Sequence, residues 1–114
     1  MRIYIASPYG RRAGASPDQC ERNTQTAIEA ARILIKKGHV PFVPHLFHYV
    51  HTRWNDSPNE DVWLAICLTW VPTCDAILRL PGESKGADIE VLKAWSYGKT
   101  IFRSIDEVPT VKGV

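Results

Sequence analysis

Asp75-Ala76-Ile77-Leu78-Arg79-Leu80-Pro81-Gly82-Glu83-Ser84-Lys85-Gly86-Ala87-Asp88-Ile89-Glu90 is the stretch on which the fold turns. Its first six residues are a short β-rich apolar run, closed by Pro81-Gly82, and so predict a buried strand. The polar loop Glu83 to Gly86 then opens a helix carrying Ile89, Leu92, Lys93 and Ala94, which Gly98 ends. A further strand follows at Thr100-Ile101-Phe102. Strand, tight loop, helix and strand in succession is the unit from which parallel sheets are built.

The same alternation runs upstream. Ile3 to Ala6 is a buried strand ended by Ser7-Pro8-Tyr9-Gly10. After a loop holding Gly14 and Pro17, Asp18 with Glu21 three residues on has the spacing of a capping box. Ala27, Ala30, Ala31, Leu34 and Ile35 recur at helical spacing, with Glu29, Arg32, Lys36 and Lys37 on the other face and Gly38 as the stop. His39 to Pro44 predicts a second strand, whose prolines assign it to an edge or an early exit. Ser57 as cap and Pro58 at the first helical position precede a helix from about Asn59 to Val71, with Trp63, Ile66, Cys67 and Trp70 on an aromatic apolar side. The tail after Ser104 leaves two alternatives, a short edge element or a drape over the surface.

This order predicts an α/β fold: one doubly wound, Rossmann/flavodoxin-like domain over residues 1–114, with a mostly parallel sheet of four to five strands and helices on both faces. Ligands in such sheets sit at the carboxyl ends of the strands. Two loops there carry unusual chemistry, Ser7 to Gly14 and Pro81 to Gly86.

Composition narrows the function. The 114 residues, 45% hydrophobic and 23% charged, suit a single core. The net charge of +2 is spread over scattered basic residues, so nucleic acid is not the expected partner. No apolar stretch approaches the roughly 20 residues of a membrane span. The chain opens on strand-like Arg2 to Ala6 where a secretory signal would be charged and then apolar, so a cytoplasmic protein is expected. Cys20, Cys67 and Cys74 form no CxxC pair and are expected to be buried small hydrophobes.

At Ser84 to Glu90 a polar loop opens a helix whose first turn bears carboxylates. Free amides at a helix start attract phosphate, and Ser84 can add a hydroxyl. Acids are common in first turns for the helix dipole alone, so Asp88 and Glu90 by themselves would mean little.

Ile3 to Tyr9, Gly38 to His45, Cys74 to Gly82 and Ser84 to Glu90 together resemble the nucleoside 2-deoxyribosyltransferase-like superfamily over most of the chain. The likeness is to a small branch beside the deoxynucleoside 5′-monophosphate N-glycosidases. It implies that Glu90 attacks the anomeric carbon, giving a glycosyl-enzyme intermediate that water or a second base resolves. A carboxylate suits that work, since an anion below the anomeric carbon stabilises and traps an oxocarbenium-like state. No metal or cofactor is implied. The position of Ser84 is an acid in transferases of free nucleosides and a serine in the monophosphate hydrolases, so the resemblance implies a 5′-phosphate held by Ser84, Lys85, Gly86, Ala87 and Asp88 at the helix start.

Tyr9 matches the tyrosine that steadies the nucleophile or the sugar, against an alternative of ordinary packing. Ser7, Gly10, His45 and Arg11, or its neighbour Arg12, complete the expected substrate site. The better-known members carry an acid that protonates the departing base, and this chain has Cys67 or a neighbour there. His45, His48 and His51 lie in a segment that could lid the site; the spacing of 48 and 51 suggests a metal only weakly, without a third ligand. Trp54 and Tyr49 could stack a base or pack in the core. The expected function is hydrolysis of a nucleoside or deoxynucleoside 5′-monophosphate to base and sugar phosphate. The alternatives are a non-catalytic nucleotide-binding module and a deoxyribosyltransferase. A homo-oligomer, a dimer, is expected, with Trp63 at the contact or in the core.

Overall fold

The structure, a computed structural model, describes residues 1–111. Four strands, β1 (Arg2–Ala6), β2 (Val40–Phe42), β3 (Ala76–Arg79) and β4 (Thr100–Phe102), form one sheet in the order β2-β1-β3-β4. Every pairing is parallel, in register Ile3 with Pro41, Ile3 with Ala76, and Ala76 with Thr100. β2 is an edge, where the missing amide of Pro41 does least harm.

Alternation along β1 decides which helix covers which face. Ile3 and Ile5 point to one side, against Ala27, Ala30, Ala31 and Leu34 of α1 (Pro17–Lys36). Tyr4 and Ala6 point to the other, against Ala87, Val91 and Ala94 of α4 (Lys85–Ser96) and Cys67 of α3 (Glu60–Leu68). Leu34 is fully buried; a leucine so placed contributes roughly 1.5–3 kcal/mol. Helices on both faces of a parallel sheet make the fold doubly wound, as the alternation predicts.

The boundaries differ from expectation in identifiable ways. α1 begins at Pro17, capped by Ser16, whose hydroxyl accepts from the Gln19 amide at 3.1 Å. Serine followed by proline at the first helical position outcompetes the Asp18 box. α3 likewise starts one residue after Asn59, whose side chain accepts from the Asp61 and Val62 amides, and Ser57 is not its cap. It stops at Leu68, because Pro72 turns the chain into the 3-10 turn Val71–Thr73. The segment from Pro44 forms a 3-10 turn to Phe47 and a short α2 (His48–His51). The tail drapes: after the turn Ile105–Glu107, the Ile105 and Val108 carbonyls accept from Lys37 Nζ, each at 2.9 Å, and Val108 is buried on the α1 face. Residues 112–114 of the expected domain lie outside the described residues.

Cys20, Cys67 and Cys74 are all free and buried. Among the described residues no helix is long and apolar enough to cross a membrane.

Candidate active site

A cavity of about 480 Å³ opens at the carboxyl ends of β1 and β3, the two central strands between which the strand order switches. Glu90, Ser84, Lys85, Gly86 and Ala87 reach it from α4 and the loop before it, and Ser7, Tyr9 and Gly10 from the loop after β1. Pro44, His45, Phe47, His48 and His51 reach it from beyond β2, and Glu60, Trp63, Leu64 and Cys67 from α3.

Glu90 is there because α4 buries one face. Ala87, Glu90, Val91 and Ala94 follow the i, i+3, i+4, i+7 spacing, and the carboxyl comes down with its apolar neighbours. It stays only 7% exposed. Burial pushes its pKa up to about 7, against smaller lowering effects of the Tyr4 hydrogen bond and the Arg79 charge. The Tyr4 hydroxyl donates to Glu90 Oε2. Tyr4 is itself raised, first by burial and then by the Glu90 charge, and so remains a neutral donor.

The tyrosine on the glutamate is therefore Tyr4, not Tyr9. The Tyr9 hydroxyl is held instead by His48 Nδ1, at 2.5 Å, and by His51 Nε2. Its ring packs edge-on against His45, His48 and His51, at centroid distances of 6.1, 5.5 and 5.8 Å. A signal for Tyr4 exists in the sequence: it is a polar-tipped residue on the face of β1 turned toward α4, where Glu90 is the other polar group on an apolar stripe.

Two expected site residues point elsewhere. Arg11 Nη1 stands 3.0 Å from Glu60 Oε1 and donates to the Pro58 carbonyl at 3.3 Å. It neutralises the acidic first turn of α3, as does Arg12, 2.9 Å from Asp61; only Arg12 lines the cavity. Asp88 lies off the cavity, on the outer side of α4, and pairs with Arg79 at 3.1 Å.

The helix start is also partly occupied. Ser84 caps α4 by accepting from the Ala87 amide at 3.1 Å, and its carbonyl accepts from the Asp88 amide at 3.1 Å. The Lys85 and Gly86 amides are left over, and the Ser84 hydroxyl keeps its proton to donate.

His45 is buried, and its Nε2–H donates to the Ser7 and Pro8 carbonyls at 3.0 and 3.2 Å. Burial lowers its pKa, so the ring is neutral and Nδ1 holds a lone pair with no partner among the described residues. It is an acceptor that calls for a hydrogen-bond donor. Cys67 also lines the cavity; burial and then the Glu90 charge push its thiol up to about 12, so it keeps its proton at neutral pH. Neither Tyr49 nor Trp54 lines the cavity: Tyr49 donates to Glu21 at 2.9 Å, and Trp54 packs edge-on to Trp63. The aromatic wall is Phe47 and Trp63, with ring centroids 5.4 Å apart. Among the described residues no three His, Cys, Asp or Glu side chains gather to hold a metal ion.

Residues 1–104 match the profile of a domain of unknown function, DUF7768. The chain belongs to this family. No curated protein sequence matches the DUF7768 chain. Among solved structures it is similar to a 2-desoxiribosyltransferase from Leishmania mexicana (24% identity, TM-score 0.54), over 88% of this chain and 61% of that one. A 2-deoxyribosyltransferase from the psychrotolerant bacterium Bacillus psychrosaccharolyticus is similar too, at 17% identity and TM-score 0.59, over 89% of this chain and 69% of that one. The DUF7768 chain thus has the 2-deoxyribosyltransferase-like fold and spans about three fifths of the length of the Leishmania protein.

Proposed function

We propose that this protein is an N-glycosidase that hydrolyses a nucleoside or deoxynucleoside 5′-monophosphate, with Glu90 as nucleophile. The observation that carries the reading is the Glu90 carboxyl in the cavity wall, buried yet poised near neutrality and fixed by the Tyr4 hydroxyl. At neutral pH a large share of the molecules hold Glu90 as an anion that is poorly solvated, and so reactive toward an electron-poor anomeric carbon. The Ser84 hydroxyl, the Lys85 and Gly86 amides and the Lys85 ammonium border the same cavity and suit a 5′-phosphate. His45 Nδ1 awaits a hydroxyl or amino donor, and Phe47 and Trp63 offer ring faces for a base.

A second reading, transfer of a deoxyribosyl group between bases, is favoured by the names of the two similar structures. Both readings share the glycosyl-enzyme and differ in what resolves it. Incubation with a panel of ribo- and deoxyribonucleotides, followed by chromatography for released base, tests the proposal. Base and sugar phosphate released without an acceptor base support hydrolysis. Release only when a second base is added supports transfer. No release from any nucleotide or nucleoside overturns both, and leaves a nucleotide-binding module.

We further propose that the protein is a dimer. Val62 and Ile66 on α3 and Trp70 just after it leave an apolar stripe exposed, while Trp63 lines the cavity wall.

A further inference from the structure

Four side chains from three separate segments meet in one line. Glu21 of α1 places Oε2 2.8 Å from His48 Nε2. His48 Nδ1 lies 2.5 Å from the Tyr9 hydroxyl, and that hydroxyl also contacts His51 Nε2. Beyond Tyr9, the His51 ring bonds only to its own backbone among the described residues, and Tyr9, His48 and His51 all line the cavity that holds Glu90. Glu21, at the other end, is 43% exposed.

The line admits two proton arrangements, and both satisfy every bond. In one, His48 is protonated on both nitrogens, Nε2–H donating to the Glu21 carboxylate and Nδ1–H to the Tyr9 oxygen. Tyr9 O–H then donates to His51 Nε2, and His51 carries its own proton outward on Nδ1. In the other, the protons between His48 Nδ1 and His51 Nδ1 have each moved one place: His51 Nδ1 is bare, His51 Nε2–H donates to the Tyr9 oxygen, Tyr9 O–H donates to His48 Nδ1, and His48, neutral, keeps its Nε2–H on Glu21. One proton has left at His51, and the positive charge beside Glu21 has vanished. In the first arrangement that charge lies against the Glu21 carboxylate, whose Oε2 is 2.8 Å from His48 Nε2. Burial, the Arg11 charge and His48 itself lower the pKa of His51, whereas His48 faces the carboxylate of Glu21. Burial raises the Tyr9 phenol, which thus passes a proton without resting as phenolate.

We propose that Glu21, His48, Tyr9 and His51 form a reversible proton relay, whose outer end at His51 Nδ1 protonates the departing base and then takes a proton from the attacking water. This rests on the reading of the site as an N-glycosidase. In the first step Glu90 bonds to the anomeric carbon as the C–N bond breaks, the base nitrogen keeps the bond pair and gains the His51 proton, and His48 becomes neutral. In the second, water oxygen bonds to the anomeric carbon, the Glu90 ester bond breaks with its electron pair returning to the carboxylate, and the water proton enters at His51 and recharges His48. The relay ends the cycle as it began. It supplies the proton that Cys67 cannot.

The test compares two leaving groups in the full-length protein: 2′-deoxyguanosine 5′-monophosphate and its N7-methylated form, whose base is already cationic and departs without a proton. General-acid help contributes about 10²–10⁴-fold. His51→Gln and Tyr9→Phe are each expected to lose on the order of 100-fold or more in kcat on the unmethylated nucleotide and less than roughly tenfold on the methylated one. Tyr9→Phe leaves both imidazoles in place and cuts only the connection. Glu21→Gln, near the surface, should show the same split on a smaller scale. Equal losses on both substrates for all three variants overturn the relay and leave these residues a positioning role. No base release by the unmutated protein from these two or from any other nucleotide or nucleoside of the panel overturns the N-glycosidase reading, and the relay with it.

Discussion

Replacing Glu90 by glutamine should make the protein inactive and, at alkaline pH, more stable. The folded state keeps the Glu90 proton up to about pH 7, whereas an ordinary carboxyl releases it at 4.5. Between those values the folded chain binds a proton that the unfolded chain has lost, so this residue's contribution to stability falls as pH rises and stays low above the window. Below 4.5 both states hold the proton, and the residue contributes nothing to the pH dependence. The accumulated penalty is roughly 3 kcal/mol, at about 1.4 kcal/mol per pH unit. Glutamine keeps the shape and still accepts from the Tyr4 hydroxyl, but never ionises. Glu90→Gln should therefore match the unmutated protein at about pH 4 and exceed it at about pH 8 by up to roughly 3 kcal/mol, a Tm rise on the order of 10 °C for a chain of this size. Thermal melts followed by circular dichroism at stepped pH give the difference directly. A difference that does not change with pH, or a variant less stable than the parent at pH near 8, refutes the assignment of Glu90 as a buried, reluctantly ionised group. Base release should vanish in the same variant, with nucleotide affinity within about tenfold.

Removing the Tyr4 hydroxyl takes away a bond that favours the Glu90 anion, so Tyr4→Phe should move the rising limb of the pH–rate profile to higher pH; an unmoved or acid-shifted limb counts against the contact. Ser84→Ala should weaken monophosphate binding by roughly 1–2 kcal/mol and leave nucleoside binding nearly unchanged in calorimetry. It should also cost about 1 kcal/mol of stability through the lost cap, and equal affinity of the parent for nucleoside and monophosphate would remove the phosphate from the reading. Sedimentation at micromolar concentration should show a dimer that Trp70→Lys dissociates, and a monomeric parent rules out the α3 stripe as its contact.

Much of the fold was legible because it rests on local periodicity. Ile3 to Ala6 and Asp75 to Leu80 are short apolar runs with clear stops, and the alanine stripe of α1 marks the face that packs on the sheet. The region from His45 to Ser57 was not legible as structure, since a 3-10 turn and a four-residue helix are too short to show a period. The cap of α1 lies two residues before the Asp18 signal, because two serviceable signals overlap and proline decides between them. In the site, Glu90 and the Ser84 loop lie on one element and could be read together. The Arg11–Glu60 pair and the joining of Tyr9 to His48 and His51 link residues about 40 or more apart in sequence, and nothing local announces them. The Tyr4 contact is easily hidden in the sequence, since a tyrosine between two isoleucines satisfies a strand pattern without its hydroxyl.

The loop that carries Ser84 is braced before any ligand arrives. Arg79 donates to the Leu80 and Gly82 carbonyls and grips Asp88 one turn into α4, and Gly82, at φ 116°, passes so close to Pro8 that a β-carbon would sit 2.7 Å from its ring. Conformational entropy that a loose phosphate loop would surrender on association, roughly 1–2 kcal/mol for each backbone residue fixed, has here already been given up during folding. A ligand therefore meets a rigid frame. Its association should be limited by encounter and not by loop ordering.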